Sequence, residues 1–253
     1  MTVRQAEMLL AAIIAARATS FMFSKILVGT MAPFNILAVR FLIAAGLLIV
    51  LFHRRLLKLD RRTLGCGAAM GGVFFASMAL EMHALTGASS STVSFLENTA
   101  IVLVPMAAAL MARRRPAAPV AAACTVAMIG VGLLTAGGGP GGDTVPGVLF
   151  GLGSGAAYSA AILTTARLSQ EGDPLTLGIV QVATMGLLAL GASLVFEAPV
   201  LPTAPAEWGS LAALIVVCTG FGFTLQPVAQ SRLSADVAGL LCALMEATHL
   251  IWS

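Results

Sequence analysis

Apolar residues run along this chain in blocks of about twenty, and the polar residues gather between the blocks instead of alternating with them. A block of roughly twenty apolar residues is the length of helix that crosses the hydrocarbon core of a bilayer. The pattern predicts nine helices, over 7–28, 33–53, 64–85, 92–112, 117–137, 146–167, 174–196, 208–230 and 235–253. Full-length blocks recur to the end of the chain, so the pattern is not that of one cleavable signal peptide.

The pattern also repeats itself. Residues 33–41, Pro-Phe-Asn-Ile-Leu-Ala-Val-Arg-Phe, align with residues 174–182, Pro-Leu-Thr-Leu-Gly-Ile-Val-Gln-Val. The chemistry changes sharply at one position, where Arg40 becomes Gln181. The glycine- and proline-rich stretch 137–147 excludes helix and divides five spans from four. The division gives a first repeat at 1–137, a linker at 138–146 and a second repeat at 147–253. An odd number of spans in the first repeat forces the second to insert upside down, so the expected fold is an all-α bundle of inverted five-helix repeats.

Charge orients the bundle. Arg54, Arg55, Lys58, Arg61 and Arg62 fill the second loop, Arg113, Arg114 and Arg115 the fourth, Arg167 the sixth and Arg232 the eighth. The odd-numbered loops hold Asp143, Glu197 and Glu207 instead. Basic loops stay in the cytoplasm, so the N-terminus is expected inside and the linker outside, with the bacterial inner membrane as the location.

Composition agrees. The 253 residues are 58% hydrophobic and 10% charged, with mean hydropathy +0.97. Too few charges are present to cover a soluble domain of this size. The net charge of +3 gives no reason to expect a nucleic-acid partner. Cys66, Cys124, Cys218 and Cys242 all fall inside apolar blocks without a CxxC pair, as small buried hydrophobes do.

Charges inside the blocks are the candidate chemistry, because each costs roughly 2.5–3.5 kcal/mol at a helix centre. They are Arg17, Arg40, Glu81, Glu97 and Glu246. Arg40 is expected to hold an anionic group, since a guanidinium offers a planar fork of donors to a carboxylate. Glu97 or Glu81 is then available to recognise an amine or carry a proton. The plainer reading of the same residues is an ion-pair network that only orients helices, with Arg40 neutralising Glu81 or Glu97. Asn98, Tyr158 and Gln181 are neutral polar positions expected to line the site, although such groups also simply join helices. Lys25 is expected to snorkel from the outer end of the first span. Gly147, Gly151 and Gly155 form a GxxxGxxxG stripe for close helix packing. Glu246 and His249 share a helix face, but one such pair is too few ligands for a metal.

Three stretches resemble the drug/metabolite transporter superfamily, specifically its EamA-type family of ten-helix transporters. They are residues 20–25 (Ser-Phe-Met-Phe-Ser-Lys), residues 33–42 with Arg40-Phe41, and residues 88–96 followed by Val104-Pro105 and Arg113-Arg114-Arg115-Pro116. Two departures stand out. The family's aromatic-glycine pair in span one is replaced by Ala16-Arg17-Ala18, and its Glu-Pro in helix nine by Glu246-Ala247. Nine of the ten family helices are present, so the chain is expected to be a fragment or a shortened member.

The resemblance implies a secondary carrier of small organic metabolites, an exporter of amino-acid-like or amphipathic solutes working by alternating access in the lipid bilayer. No cofactor or metal is expected, and the lack of a Walker A motif excludes ATP as direct energy source. Proton coupling and facilitated diffusion both stay open, as does oligomeric state. Competing readings are a passive channel, which needs a continuous polar lining, a non-transporting scaffold, and an intramembrane enzyme, which needs a nucleophile–base pair that the sequence does not offer.

Overall fold

The structure, a computed structural model, describes residues 2–57, 59–97, 99–111, 129 and 143–232. Apart from residue 129, the expected spans 117–137 and 235–253 lie outside the described residues, and so do Asn98 and Glu246. Within them every regular element is helical: α1 (Val3–Val28), α2 (Pro33–Leu56), α3 (Arg61–Gly87), α4 (Ser90–Glu97), α5 (Ala100–Met111), α6 (Val145–Leu168) and α7 (Pro174–Phe196). A last rod joins α8 (Pro205–Ala213), a π-helical segment (Leu214–Phe223) and α9 (Thr224–Gln230). Six of these helical stretches are long and apolar enough to cross a membrane.

Local chemistry sets the starts. The side chains of Thr2, Asp60, Thr144 and Asp173 accept the backbone N–H groups that open α1, α3, α6 and α7. Proline stands in the first turn of α2, α6, α7 and α8, where its missing N–H costs nothing. Asp60 accepts from the Thr63 hydroxyl and backbone, which holds its carboxyl below the usual carboxylate range.

Two expected spans come out differently. The helix expected over 92–112 is interrupted: α4 ends at Glu97, Thr99 lies in a turn with its hydroxyl donating to the Leu96 carbonyl (2.6 Å), and α5 starts at Ala100. The helix expected over 208–230 widens into ten residues of π-helix. Pro227, four residues beyond that stretch, has no N–H to give the preceding turn, and this weakens the ordinary α pattern there.

The repeat mates α2 and α7 lie antiparallel against each other. Arg55 at the end of α2 pairs with Asp173 at the start of α7 (3.5 Å). At their other ends Glu197 accepts from the N–H groups of Phe34 and Asn35 at 3.0 Å and 2.9 Å. An inverted repeat requires this geometry. Helix α3 packs along both α6 and α7. The glycine stripe of α6 makes one contact possible: a Cβ at Gly151 would stand 2.7 Å from the Leu96 side chain, and one at Gly155 2.7 Å from the Leu96 carbonyl oxygen. The described Arg residues of the loops, Arg54, Arg55, Arg61, Arg62, Arg167 and Arg232, stand at one set of helix ends, and Asp143, Glu197 and Glu207 at the other.

Candidate functional site

A layer of charge runs through the middle of the helix bundle. Arg40 and Glu97 are 0% and 1% exposed, and Arg17 and Glu81 are also buried. Four ionisable groups so far from water persist only if they satisfy one another or a bound molecule.

Arg17 rises from α1. One of its Nη groups donates to the Tyr158 hydroxyl of α6 at 2.9 Å, and the other stands 3.5 Å from Oε1 of Glu97. Its guanidinium lies over the rings of Tyr158 (4.5 Å) and Phe223 (4.7 Å). Glu97 is the last residue of α4. Glu81 of α3 lies beside Glu97, carboxyl to carboxyl within hydrogen-bond reach.

Arg40 enters the same layer from α2. Its Nε donates to the Thr219 hydroxyl at 2.7 Å and Nη1 to the Ser20 hydroxyl at 3.4 Å, while Nη2 has no hydrogen-bond partner among the described residues. Phe41 and Phe223 lie 5.1 Å and 5.8 Å from its guanidinium carbon. Thr219 sits in the π-helical segment, so the widened turn supplies the hydroxyl that aims Arg40. Phe223 ends that segment and meets Phe41 and Phe74 edge to face at 5.5 Å and 5.4 Å.

The structure therefore rearranges the expected ion pairs. Glu97 pairs with Arg17, not with Arg40, and among the described residues the direct partners of Arg40 are two hydroxyls, with Glu81 close enough for Coulomb attraction. Gln181, the repeat mate of Arg40, is buried on α7, and neither atom of its amide has a partner among the described residues. Tyr158 joins the layer through Arg17, while Asn98 and Glu246 lie outside the described residues. Lys25 reaches the end of α3, where its ammonium donates to the carbonyls of Leu85 and Ala88 at 2.6 Å and 2.7 Å. Sequence reasoning missed Ser20, Phe74, Thr219 and Phe223. Pro227 was the available signal for the last two, since a proline inside an apolar span marks a disturbed helix.

Chemically, the layer offers two permanent cations, two carboxyl groups and an aromatic wall. Among the described residues no three His, Cys, Asp or Glu side chains gather where a metal ion would sit. At the helix ends the two halves of the molecule are tied differently. Arg55–Asp173 and Arg62–Glu171 pair at one end. At the other, Asn35 accepts from the Ser193 hydroxyl (2.9 Å), donates to the Ala198 carbonyl (2.8 Å) and shares the Glu197 clamp.

The EamA-like transporter family matches this chain twice, over residues 6–136 and 145–253. The chain belongs to that family. A crystal structure aligns with it at a TM-score of 0.73 and 19% identity, covering 98% of this chain and 87% of the other, a likeness that speaks to the fold. No curated protein matches the sequence.

Proposed function

We propose that this multi-pass member of a family of small-solute transporters is an alternating-access exporter of amino-acid-like or amphipathic organic anions, with Arg40 as the group that holds the anion. It resides in the bacterial inner membrane with its N-terminus and its Arg-rich helix ends in the cytoplasm. The observation that carries the reading is the Nη2 of Arg40: a fully buried guanidinium donor without a partner among the described residues. A buried cation kept short of partners has room for a ligand's oxygen, whereas a purely structural arginine would be satisfied. The adjacent Phe41 and Phe223 suit the apolar body of an amphipathic solute. Gln181, Glu81, Glu97, Arg17 and Tyr158 complete the proposed site, with Asn98 and Glu246 as further members.

The test is counterflow in proteoliposomes with radiolabelled L-phenylalanine, phenylacetate and benzoate. Arg40→Gln keeps the protein folded and abolishes transport of the carboxylates, and Arg40→Lys recovers a part, since a point charge lacks the fork. Unchanged counterflow in Arg40→Gln would remove this residue from the site.

A further inference from the structure

We infer that Glu81 and Glu97 hold a single shared proton, and that this proton accompanies an organic monoanion bound at Arg40, so that anion and proton cross the membrane together without net charge. The inference rests on reading Arg40 as the anion site.

Three observations lead there. The two carboxyl groups stand side by side inside the bundle, each 1% exposed. Two carboxylates in contact away from water cannot both ionise at modest cost, and the usual solution is one proton between them. Second, neither oxygen of Glu97 meets a hydrogen-bond donor at bonding distance among the described residues; Nη2 of Arg17, at 3.5 Å, is an ion-pair contact only. A carboxylate only accepts, so a proton on neighbouring Glu81 supplies the donor that Glu97 lacks. The arrangement leaves the negative charge on Glu97, next to Arg17.

Third, the charges then balance. Arg17 and Arg40 stay charged at any relevant pH. Among the described residues, two ionised carboxylates would cancel both. With one shared proton these described residues carry a single excess positive charge, located at Arg40, which a monoanion neutralises. Anion and proton thus favour each other's binding. The proton step needs no other reactant. An O–H bond on Glu81 forms from water on one side of the membrane and breaks to water on the other.

Among the described residues, the charged groups near the pair are Arg17 of α1, which contacts Glu97 and bonds Tyr158 of α6, and Arg40 of α2, which is close to Glu81 and to Cys218 of the π-helical segment. His83, on the same helix as Glu81, bonds the Ala79 carbonyl and packs at a tilt against the rings of Phe34 and Phe150. Glu246 and His249 lie outside the described residues.

Two measurements on the intact protein in detergent test the inference. Infrared difference spectroscopy at neutral pH, without ligand, should show the C=O band of one buried carboxylic acid that is lost in Glu81→Gln. Phenylacetate binding is then followed by calorimetry from about pH 6 to about pH 9. The Kd should rise about tenfold per pH unit once the pair ionises. In Glu81→Gln, which fixes the neutral form, that dependence should disappear. Phenylacetate binding that needs Arg40 but does not change with pH, together with no carboxylic-acid band, would overturn the shared proton and leave the anion site standing. No phenylacetate binding, or binding untouched by Arg40→Gln, would overturn the anion site and the coupling with it, even if the band is present.

Discussion

The guanidiniums of Arg17 and Arg40 share one aromatic ring: they lie 4.7 Å and 5.8 Å from the centroid of Phe223. Two buried cations this near the same ring repel each other, and the electron-rich face of the ring offsets part of that cost. A desolvated cation–ring contact contributes about 2 kcal/mol. Phe223→Leu keeps an apolar side chain but removes the ring. We expect a loss of about 2–4 kcal/mol, combining the cation contacts with the imperfect fit, seen as a drop of several degrees in the thermal midpoint. Phe223→Tyr should stay near wild type in the same melt, since it keeps the ring.

Glu97 answers to Arg17, and that makes a double-mutant cycle informative. Removing one partner of a buried pair strands the other and costs about 3–5 kcal/mol. Arg17→Gln should therefore melt well below wild type, and Arg17→Gln with Glu97→Gln should regain most of the loss. Arg40→Gln should gain nothing from the same Glu97 change, because Thr219 and Ser20, not Glu97, hold Arg40. Rescue of Arg40→Gln by Glu97→Gln would show that the pairing is wrong.

How far the sequence led depends on the kind of interaction. The blocks over 33–53, 64–85, 146–167 and 174–196 became α2, α3, α6 and α7 because length and hydropathy alone decide a membrane helix. The buried charges were legible as a set, since any charge in such a block stands out. Their partners were not. Arg40 and Thr219 are 179 residues apart, and Thr219 lies in the π-helical part of the last rod, which periodicity does not reveal. The break after Glu97 was hidden for a related reason: Asn98 and Thr99 are too few polar residues to divide an apolar block.

The two sets of helix ends should differ in strength. Arg55–Asp173 and Arg62–Glu171 are largely exposed, and such pairs contribute about 0–1 kcal/mol and weaken in salt. Glu197 instead caps the first turn of α2 beside buried Asn35, and charge-assisted bonds of this kind contribute about 1.5–3 kcal/mol. The Arg-rich end is thus the easier one to open. In hydrogen exchange the start of α3 should exchange faster at high salt than at low salt, with the start of α2 unaffected. Glu197→Ala should reverse the order.

Orientation is open to a direct check. With the four native cysteines replaced, Thr203→Cys near the Glu197 end should react with an impermeant thiol reagent in intact cells. Arg54→Cys should react only after lysis. The opposite pattern would invert the assignment drawn from the Arg-rich loops.

The last expectation concerns what aims Arg40. Its Nε donates to Thr219 at 2.7 Å, and this bond leaves Nη2 as the end of the fork without a partner among the described residues. Thr219→Val has nearly the same shape but no acceptor, so a second donor of a fully buried guanidinium loses its partner. Leaving such a charged donor unsatisfied costs about 1–3 kcal/mol or more. The side chain can recover that only by turning toward another acceptor, and Glu81 is the nearby carboxyl that attracts it. A turn of this kind removes the fork from the substrate position. Thr219→Val should therefore weaken carboxylate binding about ten- to hundredfold while lowering the melting temperature only modestly. Thr219→Ser restores the acceptor without the methyl group and should restore affinity. The same affinity loss in the valine and serine variants would mean that packing of the π-helical segment matters at this position, and that the hydroxyl does not position Arg40.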